Sequence, residues 1–263
     1  MTNILAIDTS TPACSVAISW GDEILTRHKL ASREHTKLIL PMVDELLSEA
    51  GIGLSQIDVI AFTAGPGSFT GIRIGFGVVQ GLAFGADLPV LPVSSLETLA
   101  YTATRKLCLE SNTPVQIIPM LDARMDEIYW AQFQISNNVP TVPENQEQIL
   151  LQRVCEDHLS APEQVLPTIN TLPDDKTLVK SKASTTNNSS VIVAVGDGWN
   201  YSDRLSFTTT NTDATLLPEA QDILSIAEPL IGTEKVISID EASPIYLRDK
   251  ITWKKRVRLR EQR

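Results

Sequence analysis

A pattern that occurs twice, once in each half of the chain, constrains the fold most strongly. Each half has an apolar run that ends at an aspartate and, further along, a second apolar run that leads into a glycine. The runs are 3–7 and 59–63 in the first half, followed by Asp8 and Gly65, and 115–121 and 191–195 in the second, followed by Asp122 and Gly196. Short apolar runs bounded by turn residues are typical of buried strands. The repeated order predicts an α/β protein with two similar lobes.

The first half is predicted to open with three antiparallel strands joined by turns. The expected strands are 3–7, 14–19 and 23–29. Apolar residues at four-residue spacing predict a helix at 36–50, and Gly51 provides its stop signal. Ser94 followed by Glu97 is a capping box, which predicts another helix start.

The same patterns suggest domain limits. We expect an N-terminal lobe at 1–110 and a C-terminal lobe at 111–217. Residues 160–190 are expected to form a flexible surface insertion, because most of this stretch is polar and short of large apolar residues. A last helix at 218–231 has a proline in its first turn and can pack back on the N-terminal lobe.

Charge is distributed unevenly along the chain. The formal net charge of -10 indicates a body that repels nucleic acid and anionic membranes. Residues 248–263 are the exception, with eight basic against two acidic side chains and a net charge of +6. Such a tail can bind a polyanion such as RNA or remain a solvated end, and both interpretations stay open.

Cysteine usage and hydropathy bear on the compartment. The three cysteines, Cys14, Cys108 and Cys155, form no C-x-x-C pair, so neither a disulfide framework nor a zinc knuckle is indicated. The N-terminus has no basic region and carries Asp8 in its apolar run, which is unlike a signal peptide. The most apolar stretch, 71–93, is interrupted by polar and charged residues, which argues against a membrane span. We expect a cytoplasmic protein without membrane contact.

Seven of the 13 glycines fall between residues 65 and 85, and the last five lie in a predicted helix at 71–85. Each interior glycine costs about 1 kcal/mol relative to alanine, so close packing must compensate. Either the same lobe or another subunit can provide that packing. If it is another subunit, helix 36–50 is expected to share the interface. The residues expected there are Gly71, Gly75, Phe76, Gly77, Val79, Gly81, Leu38, Met42 and Leu46.

Two segments have features of phosphate-binding loops. Residues 65–71 precede the glycine-rich helix, and free N–H groups at a helix start favour anions. This loop has neither the Walker A ending nor the dinucleotide spacing. At the end of the first strand, Asp8 and the hydroxyls after it can hold a magnesium-bound phosphate, or Asp8 can merely close a turn. The candidate cofactor-binding residues are Asp8, Ser10, Gly65, Gly67, Ser68 and Thr70.

The sequence contains no self-sufficient catalytic set and no metal-binding spacing. His28, His35 and His158 include no pair three or four residues apart, so each is expected to be an ordinary surface or strand histidine. Ser68 does not lie in a G-x-S-x-G elbow. No catalytic residue and no metal ligand is therefore predicted.

Four motifs are distinctive. They are ILAIDTST near the N-terminus, GPGSFTGIRIG at 65–75, DAR followed by DEIYW at 122–130, and PIYLR at 244–248. Together they resemble the TsaB family, also called YeaZ, over nearly the whole chain except 160–190. The resemblance implies the two-lobe actin-like and Hsp70-like (RNase H-like) ATPase fold, which agrees with the repeated pattern.

The resemblance also implies a function. TsaB proteins are bacterial subunits of the machinery that makes threonylcarbamoyladenosine next to the anticodon of tRNAs reading codons that start with A. They pair with the homologous catalytic subunit TsaD, join the ATPase TsaE, and form homodimers when alone. TsaD carries a metal-binding His-x-x-x-His motif that has no counterpart here. A non-catalytic scaffold is therefore implied, with tRNA reached only through the complex.

Nucleotide binding separates this hypothesis from its alternative. The superfamily's first phosphate loop usually has glycine where this chain has Ser10. The resemblance therefore implies no tightly bound cofactor, with ATP or ADP possible at the interface with TsaD. The alternative is a free-standing ATP-dependent kinase or ATPase of the same fold, which would use Asp8, Ser10 and the loop 65–71.

Overall fold

Two five-stranded sheets with helices packed on their faces make up the computed structural model, which describes residues 2–30, 33–109, 115–135, 151–168 and 191–248. The strands are β1 (Ile4–Asp8), β2 (Ala13–Trp20), β3 (Glu23–Leu30), β4 (Val59–Gly65), β5 (Val90–Ser94), β6 (Val115–Arg124), β7 (Glu127–Ile135), β8 (Leu151–Ser160), β9 (Val191–Val195) and β10 (Asn211–Asp213). The helices are α1 (His35–Ala50), α2 (Phe69–Ala86), α3 (Ser95–Lys106) and α4 (Ala220–Ala227), with short 3-10 turns between some elements.

The two sheets have the same topology. Their strand orders are β3-β2-β1-β4-β5 and β8-β7-β6-β9-β10. In each sheet the first three strands form an antiparallel meander, and the last two are added in parallel beside the first strand. The repeated sequence pattern therefore corresponds to a repeated fold, and the prediction of two similar α/β lobes is confirmed.

Both faces of the N-terminal sheet are covered. All residues of β1 and β4 are buried, because α1 and α2 pack on one face and α4 packs on the other. This explains why their sequences are continuous apolar runs without polar alternation. The edge strand β3 is mostly exposed. The expected helix at 218–231 is shorter as an α-helix, ending at Ala227 and followed by a 3-10 turn.

Helices α3 and α4 lie between the two sheets. Leu96, Leu99 and Ala103 of α3 pack on the C-terminal sheet, although this helix falls within the N-terminal lobe expected at 1–110. Helix α4 packs back on the N-terminal sheet from the other side of that boundary. Periodicity shows which face of a helix is apolar but not which sheet receives it. The boundary expected at residue 110 stays a prediction.

The helix signals match the structure. Gly51 caps α1 in the left-handed conformation, with φ at 67°. Ser94 accepts hydrogen bonds from the N–H groups of Leu96 and Glu97, both at 3.2 Å, and so caps α3. The side chain of Glu97 pairs with Arg153 at 2.9 Å, so the reciprocal half of the predicted capping box is replaced by a contact to β8.

The structure describes the first nine residues of the insertion expected at 160–190. Ser160 is the last residue of β8, a strand that the sequence analysis missed. Val165 is fully buried, and Thr168 exchanges backbone hydrogen bonds with the side chain of Gln132. Residues 160–168 are therefore packed on the lobe rather than free. Residues 169–190 lie outside the described part of the chain.

Candidate functional site

The carboxylate of Asp8 is fully buried at the end of β1. Its Oδ1 accepts hydrogen bonds from the Ser10 hydroxyl at 2.6 Å, the Ser10 N–H at 3.1 Å and the Thr63 hydroxyl at 2.6 Å. Its Oδ2 has no hydrogen-bond partner among the described residues. Burial raises the pKa of Asp8, while the hydrogen bonds from Ser10 and Thr63 oppose that shift. Asp8 closes the β1–β2 turn.

His35 supports the same turn from outside. Its Nε2 lies 2.9 Å from the Thr11 carbonyl oxygen and 3.1 Å from that of Ala13. Because both partners are acceptors, this nitrogen carries the proton. The residue is only 7% exposed, so the expectation of an ordinary surface or strand histidine is wrong. It fixes the hairpin that carries Asp8.

The loop at 65–71 packs directly on this hairpin. The Ser68 N–H donates to the Ser10 carbonyl oxygen at 2.7 Å. The Thr9 hydroxyl donates to the Gly71 carbonyl oxygen at 2.8 Å. A Cβ on Gly67 would collide with the Ser10 carbonyl oxygen. Glycine is needed here because two backbones meet.

This contact bears on both predicted phosphate loops. At the start of α2, the Ser68 N–H is bound to Ser10, and the Gly71 N–H donates to the Ser68 hydroxyl at 3.2 Å. Backbone amides that already donate to protein acceptors are not available to bind an anion. Gly65 is buried against Ile245, and Thr70 is exposed at the surface. The Ser68 and Gly71 amides therefore have partners within the chain, and phosphate binding at these loops stays a prediction.

The C-terminal lobe repeats the contact between its own loops. The Asp122 N–H, at the end of β6, donates to Asp197 Oδ1 at 2.8 Å. A Cβ on Gly196 would collide with the Met120 carbonyl oxygen. Burial raises the pKa of Asp197. Both lobes thus join the end of their first strand to the loop after a parallel neighbour.

The glycines of α2 divide into two sets. Gly71 and Gly75 face the β1–β2 turn, where a Cβ would collide with the carbonyl oxygen or the hydroxyl of Thr9. Gly77, Gly81 and Gly85 have no atom within 4 Å of an added Cβ. The first set is explained by packing inside the lobe. The second set leaves a smooth strip on the outer side of the helix.

The expected partner-binding residues divide in the same way. Five of the nine, namely Gly71, Gly75, Val79, Met42 and Leu46, are buried between the helices and their own lobe. Placing them on a contact face was wrong, because the periodicity that marks an apolar helix face equally marks a core face. Phe76 and Leu38 are half-buried, and Gly77 and Gly81 are exposed.

Two large apolar residues that the sequence analysis missed lie on the outer surface of these helices. Phe84 on α2 is 81% exposed and Leu40 on α1 is 50% exposed. Helices α1 and α2 are neighbours on one face of the N-terminal sheet. Phe84 follows Gly77 and Gly81 by seven and three residues, a spacing that places it on the same side of a helix and could have identified it.

The described residues contain no group of three or more His, Cys, Asp or Glu side chains arranged to hold a metal ion. Within the same part of the chain, α2 is long and apolar enough to span a membrane by length and composition. Its inner side packs on the sheet through Ile72, Val79 and Ala83, as the core helix of a folded lobe does.

Comparison with known proteins gives a consistent result. Residues 24–228 match the family described as TsaD, tRNA N6-adenosine threonylcarbamoyltransferase. The chain is 40% identical to the tRNA threonylcarbamoyladenosine biosynthesis protein TsaB of Haemophilus influenzae, over 96% of each chain. It is 39% identical to TsaB of Escherichia coli, over 96% of this chain and 97% of the other.

The structural comparison agrees. The chain superimposes on YeaZ from Pseudomonas aeruginosa with a TM-score of 0.75 and 36% identity, covering 94% of this chain and 100% of that one. The two lobes of matching topology have the actin-like, RNase H-like ATPase fold. The chain belongs to the TsaB (YeaZ) family and has a role in the synthesis of threonylcarbamoyladenosine in tRNA.

Proposed function

We propose that this chain is a non-catalytic scaffold and activator subunit of the complex that forms threonylcarbamoyladenosine next to the anticodon. In this complex it pairs with a TsaD-like catalytic subunit and is joined by a TsaE-like ATPase. In the absence of TsaD it pairs with a second copy of itself. The complex modifies tRNA in the cytoplasm.

The observation that carries the proposal is the outer face of α2. Gly77, Gly81 and Gly85 leave a strip without side chains, and Phe84 projects beside it with 81% of its surface exposed. A smooth strip allows the backbone of a partner helix to approach closely, and an exposed aromatic side chain gains stability when a partner covers it. Leu40 on the neighbouring α1 is another large apolar side chain, with 50% of its surface exposed.

The packing of the loops supports a scaffold rather than a free-standing ATPase. An ATPase of this fold would hold phosphate between the Asp8 hairpin and the loop 65–71. Here the Ser68 N–H is bound to the Ser10 carbonyl oxygen at 2.7 Å. We propose that the chain alone binds no nucleotide tightly, and that any ATP or ADP of the assembly lies at the interface with TsaD.

Substitutions on the two sides of one helix test the pairing. Gly81→Leu places a bulky side chain on the open strip, whereas Gly75→Ala introduces a methyl group against Thr9 inside the lobe. Sedimentation velocity with and without TsaD measures pairing, and thermal unfolding measures folding. Gly81→Leu is expected to abolish pairing while the melting temperature stays unchanged. Gly75→Ala is expected to lower the melting temperature, because its effect is on folding rather than on pairing. Intact pairing of a folded Gly81→Leu variant would refute the interface.

Activity measurements test the scaffold role separately. ATP turnover by the purified chain with magnesium is expected to stay at background, and threonylcarbamoyladenosine is expected to form only when TsaD and TsaE are added. Sustained hydrolysis by the chain alone would contradict the scaffold role and favour the kinase or ATPase alternative. A Gly81→Leu variant that still supports full tRNA modification would contradict the requirement for pairing.

We propose further that the basic tail lies near tRNA within the complex. Of its basic residues, Arg248 is bound to the β6–β7 hairpin, and residues 249–263 contain the other seven basic side chains and two acidic ones. This segment lies outside the described residues. Cations concentrated on an otherwise acidic chain favour contact with phosphates.

A further inference from the structure

The segment that follows α4 runs along the N-terminal sheet and then leaves it. Ile237 pairs with Val90 at the edge of β5, and the Ile245 N–H donates to the Ala64 carbonyl oxygen of β4 at 2.8 Å. A Cβ on Gly65 would lie 2.6 Å from the Ile245 carbonyl oxygen, so only glycine allows this approach. Residues 244–248, which we call the strap, begin in contact with the N-terminal lobe.

Tyr246 strengthens the contact with the N-terminal lobe. Its hydroxyl accepts a hydrogen bond from Arg73 Nε at 2.9 Å. Its ring lies 5.6 Å from the ring of Phe69, and the Arg73 guanidinium covers Phe69 at 3.5 Å. Aromatic and cation–π contacts of this kind stabilise the position of the strap. The strap is thus fixed to the start of α2.

The other end of the strap is bound to the C-terminal lobe. Arg248 Nη2 donates to the carbonyl oxygens of Ala123 and Arg124, both at 3.1 Å, and pairs with the carboxylate of Glu127. Its Nη1 lies 2.9 Å from Met125 Sδ. All of these partners belong to the β6–β7 hairpin. The charge-assisted bonds make this a strong attachment.

The hairpin that Arg248 binds is strained. Arg124, Met125 and Asp126 have φ values of 61°, 60° and 62°, so three successive non-glycine residues adopt the left-handed conformation. Each such residue is uncommon and carries a free-energy penalty, so the surrounding contacts must hold the turn. Arg248 supplies such contacts by donating to the carbonyl oxygens of Ala123 and Arg124, where this turn begins.

The position of the strap matters because of the sheet topology. The strap joins the carboxyl end of β4 to the hairpin at the carboxyl end of β6. In open α/β sheets the crevice outside the carboxyl ends of the strands is where ligands bind. The chain's own residues therefore connect the two lobes at that position.

We propose that residues 244–248 form a clamp that fixes the opening between the two lobes, so that the molecule behaves as one rigid body. Lobes joined by a hinge can open and close around a ligand. Here the clamp keeps the two lobes at a single separation without a ligand. The inference concerns the chain by itself and does not depend on its pairing with TsaD.

Distances between spin labels on the two lobes test the clamp. The labels are placed at Asp22→Cys and Glu156→Cys, both exposed, with Cys108→Ser and Cys155→Ser removing accessible thiols. Labelled protein is diluted with unlabelled protein, which suppresses distances between copies. The test variant is Tyr246→Ala combined with Arg248→Ala. Its cooperative thermal melt is measured first.

A matched control removes an arginine that pairs within one lobe. Arg27 pairs with Glu45 at 3.3 Å and with Glu49, both on α1 in the N-terminal lobe. The parent and Arg27→Ala are expected to give one narrow distance distribution. The strap variant is expected to give a distribution that is shifted or broadened by several ångströms. A strap variant that keeps the narrow parental distribution would overturn the proposal.

If the strap variant does not fold, hydrogen exchange on the unsubstituted chain tests whether the strap is held in place. The Ile245 amide is expected to exchange at least about a hundredfold more slowly than an unprotected amide, because its bond to Ala64 breaks only when the strap leaves the N-terminal lobe. Exchange of Ile245 at the unprotected rate would show that the strap is not held and would overturn the proposal by itself.

Discussion

The hydroxyl oxygen of Thr9 lies in the space that a Cβ atom on Gly75 would occupy. The same hydroxyl donates to the Gly71 carbonyl oxygen at 2.8 Å, so the β1–β2 turn rests directly on the backbone of α2. Helix propensity is lost at these glycines, and the close approach of Thr9, through its carbonyl oxygen at Gly71 and its hydroxyl at Gly75, compensates for it. The turn and the helix are therefore one packed unit.

Alanine substitutions within α2 measure this packing. Gly75→Ala is expected to lower the free energy of unfolding by about 1–3 kcal/mol, because the added methyl group overpacks the contact with Thr9. Gly77→Ala, on the open side, is expected to raise it by about 0.5–1 kcal/mol through helix propensity. Urea unfolding measures both. Equal effects at the two positions would contradict the division of the helix into inner and outer sides.

The burial of Asp8 predicts a particular pH dependence. Because its pKa is raised above the ordinary value of 3.8, the folded state binds the proton more tightly than the unfolded state. The contribution of Asp8 to stability therefore increases as pH falls through the raised folded pKa and levels off below about 3.8. The ionised form is the unfavourable one.

The difference in the free energy of unfolding between the unsubstituted chain and Asp8→Asn isolates the contribution of Asp8, because other titrating groups affect both proteins alike. We expect the free energy of unfolding of the unsubstituted chain to rise relative to Asp8→Asn as pH is lowered from about 7 to about 4. Urea titrations at several pH values measure the difference. A difference in the free energy of unfolding that stays constant or decreases as pH is lowered would be inconsistent with a desolvated carboxylate.

The ion pair between α3 and α4 is expected to stabilise the layer between the sheets. Asp222 is 3% exposed and accepts hydrogen bonds from Arg105 Nε, Arg105 Nη2 and the Thr102 hydroxyl, each at 2.7 Å. Arg105→Ala leaves this carboxylate buried with one partner. Because the arginine side chain is 36% exposed, we expect a loss of about 2 kcal/mol, less than for a fully buried pair.

A surface arginine provides the comparison. Arg27 pairs with Glu45 and Glu49 on the outer side of the N-terminal lobe, where solvent screens the charges. Arg27→Ala is expected to have a much smaller effect than Arg105→Ala in the same urea titration. If the two variants were equally destabilised, burial of Asp222 would not explain the result.

Phe84 is expected to contribute strongly to pairing if the outer face of α2 is the interface. An aromatic residue that is 81% exposed on the free chain can bury most of its surface against a partner. Phe84→Ala is expected to weaken pairing by roughly tenfold or more, which sedimentation equilibrium measures. Ile24→Ala, an exposed apolar residue on the edge strand β3, serves as control. Equal weakening by both would place the interface elsewhere.

The sequence predicted many of the elements, although not β8, and their repetition, because local patterns carry this information. Gly51 ended a helix and Ser94 began one through interactions within a few residues. The partner of an apolar face is a different question, because it depends on residues distant in sequence. The periodicity of Val79 and Leu46 was the same whether a sheet or another subunit covered them, and the structure shows that the lobe itself does.

The strap illustrates a second limit. PIYLR was distinctive as a motif, but Arg248 and Glu127 are more than a hundred residues apart and no short-range pattern links them. The Thr9 hydroxyl and Gly75 likewise meet only through tertiary structure. A run of aromatic and apolar residues after the last helix was the available signal, since such residues are seldom left without a contact surface.

Truncation of the basic tail separates its proposed role near tRNA from the structural role of Arg248. A chain ending at Arg248 loses seven basic and two acidic residues but keeps the contacts with Ala123 and Glu127. We expect its thermal melt to be unchanged. In the complete complex, tRNA affinity should fall, and the slope of log affinity against log salt should become shallower by roughly 0.7–0.9 per lost phosphate contact. Arg248→Ala in the full-length chain should lower the melting temperature while leaving the salt slope nearly unchanged. Unaltered tRNA affinity and salt slope after truncation would identify the tail as a solvated end.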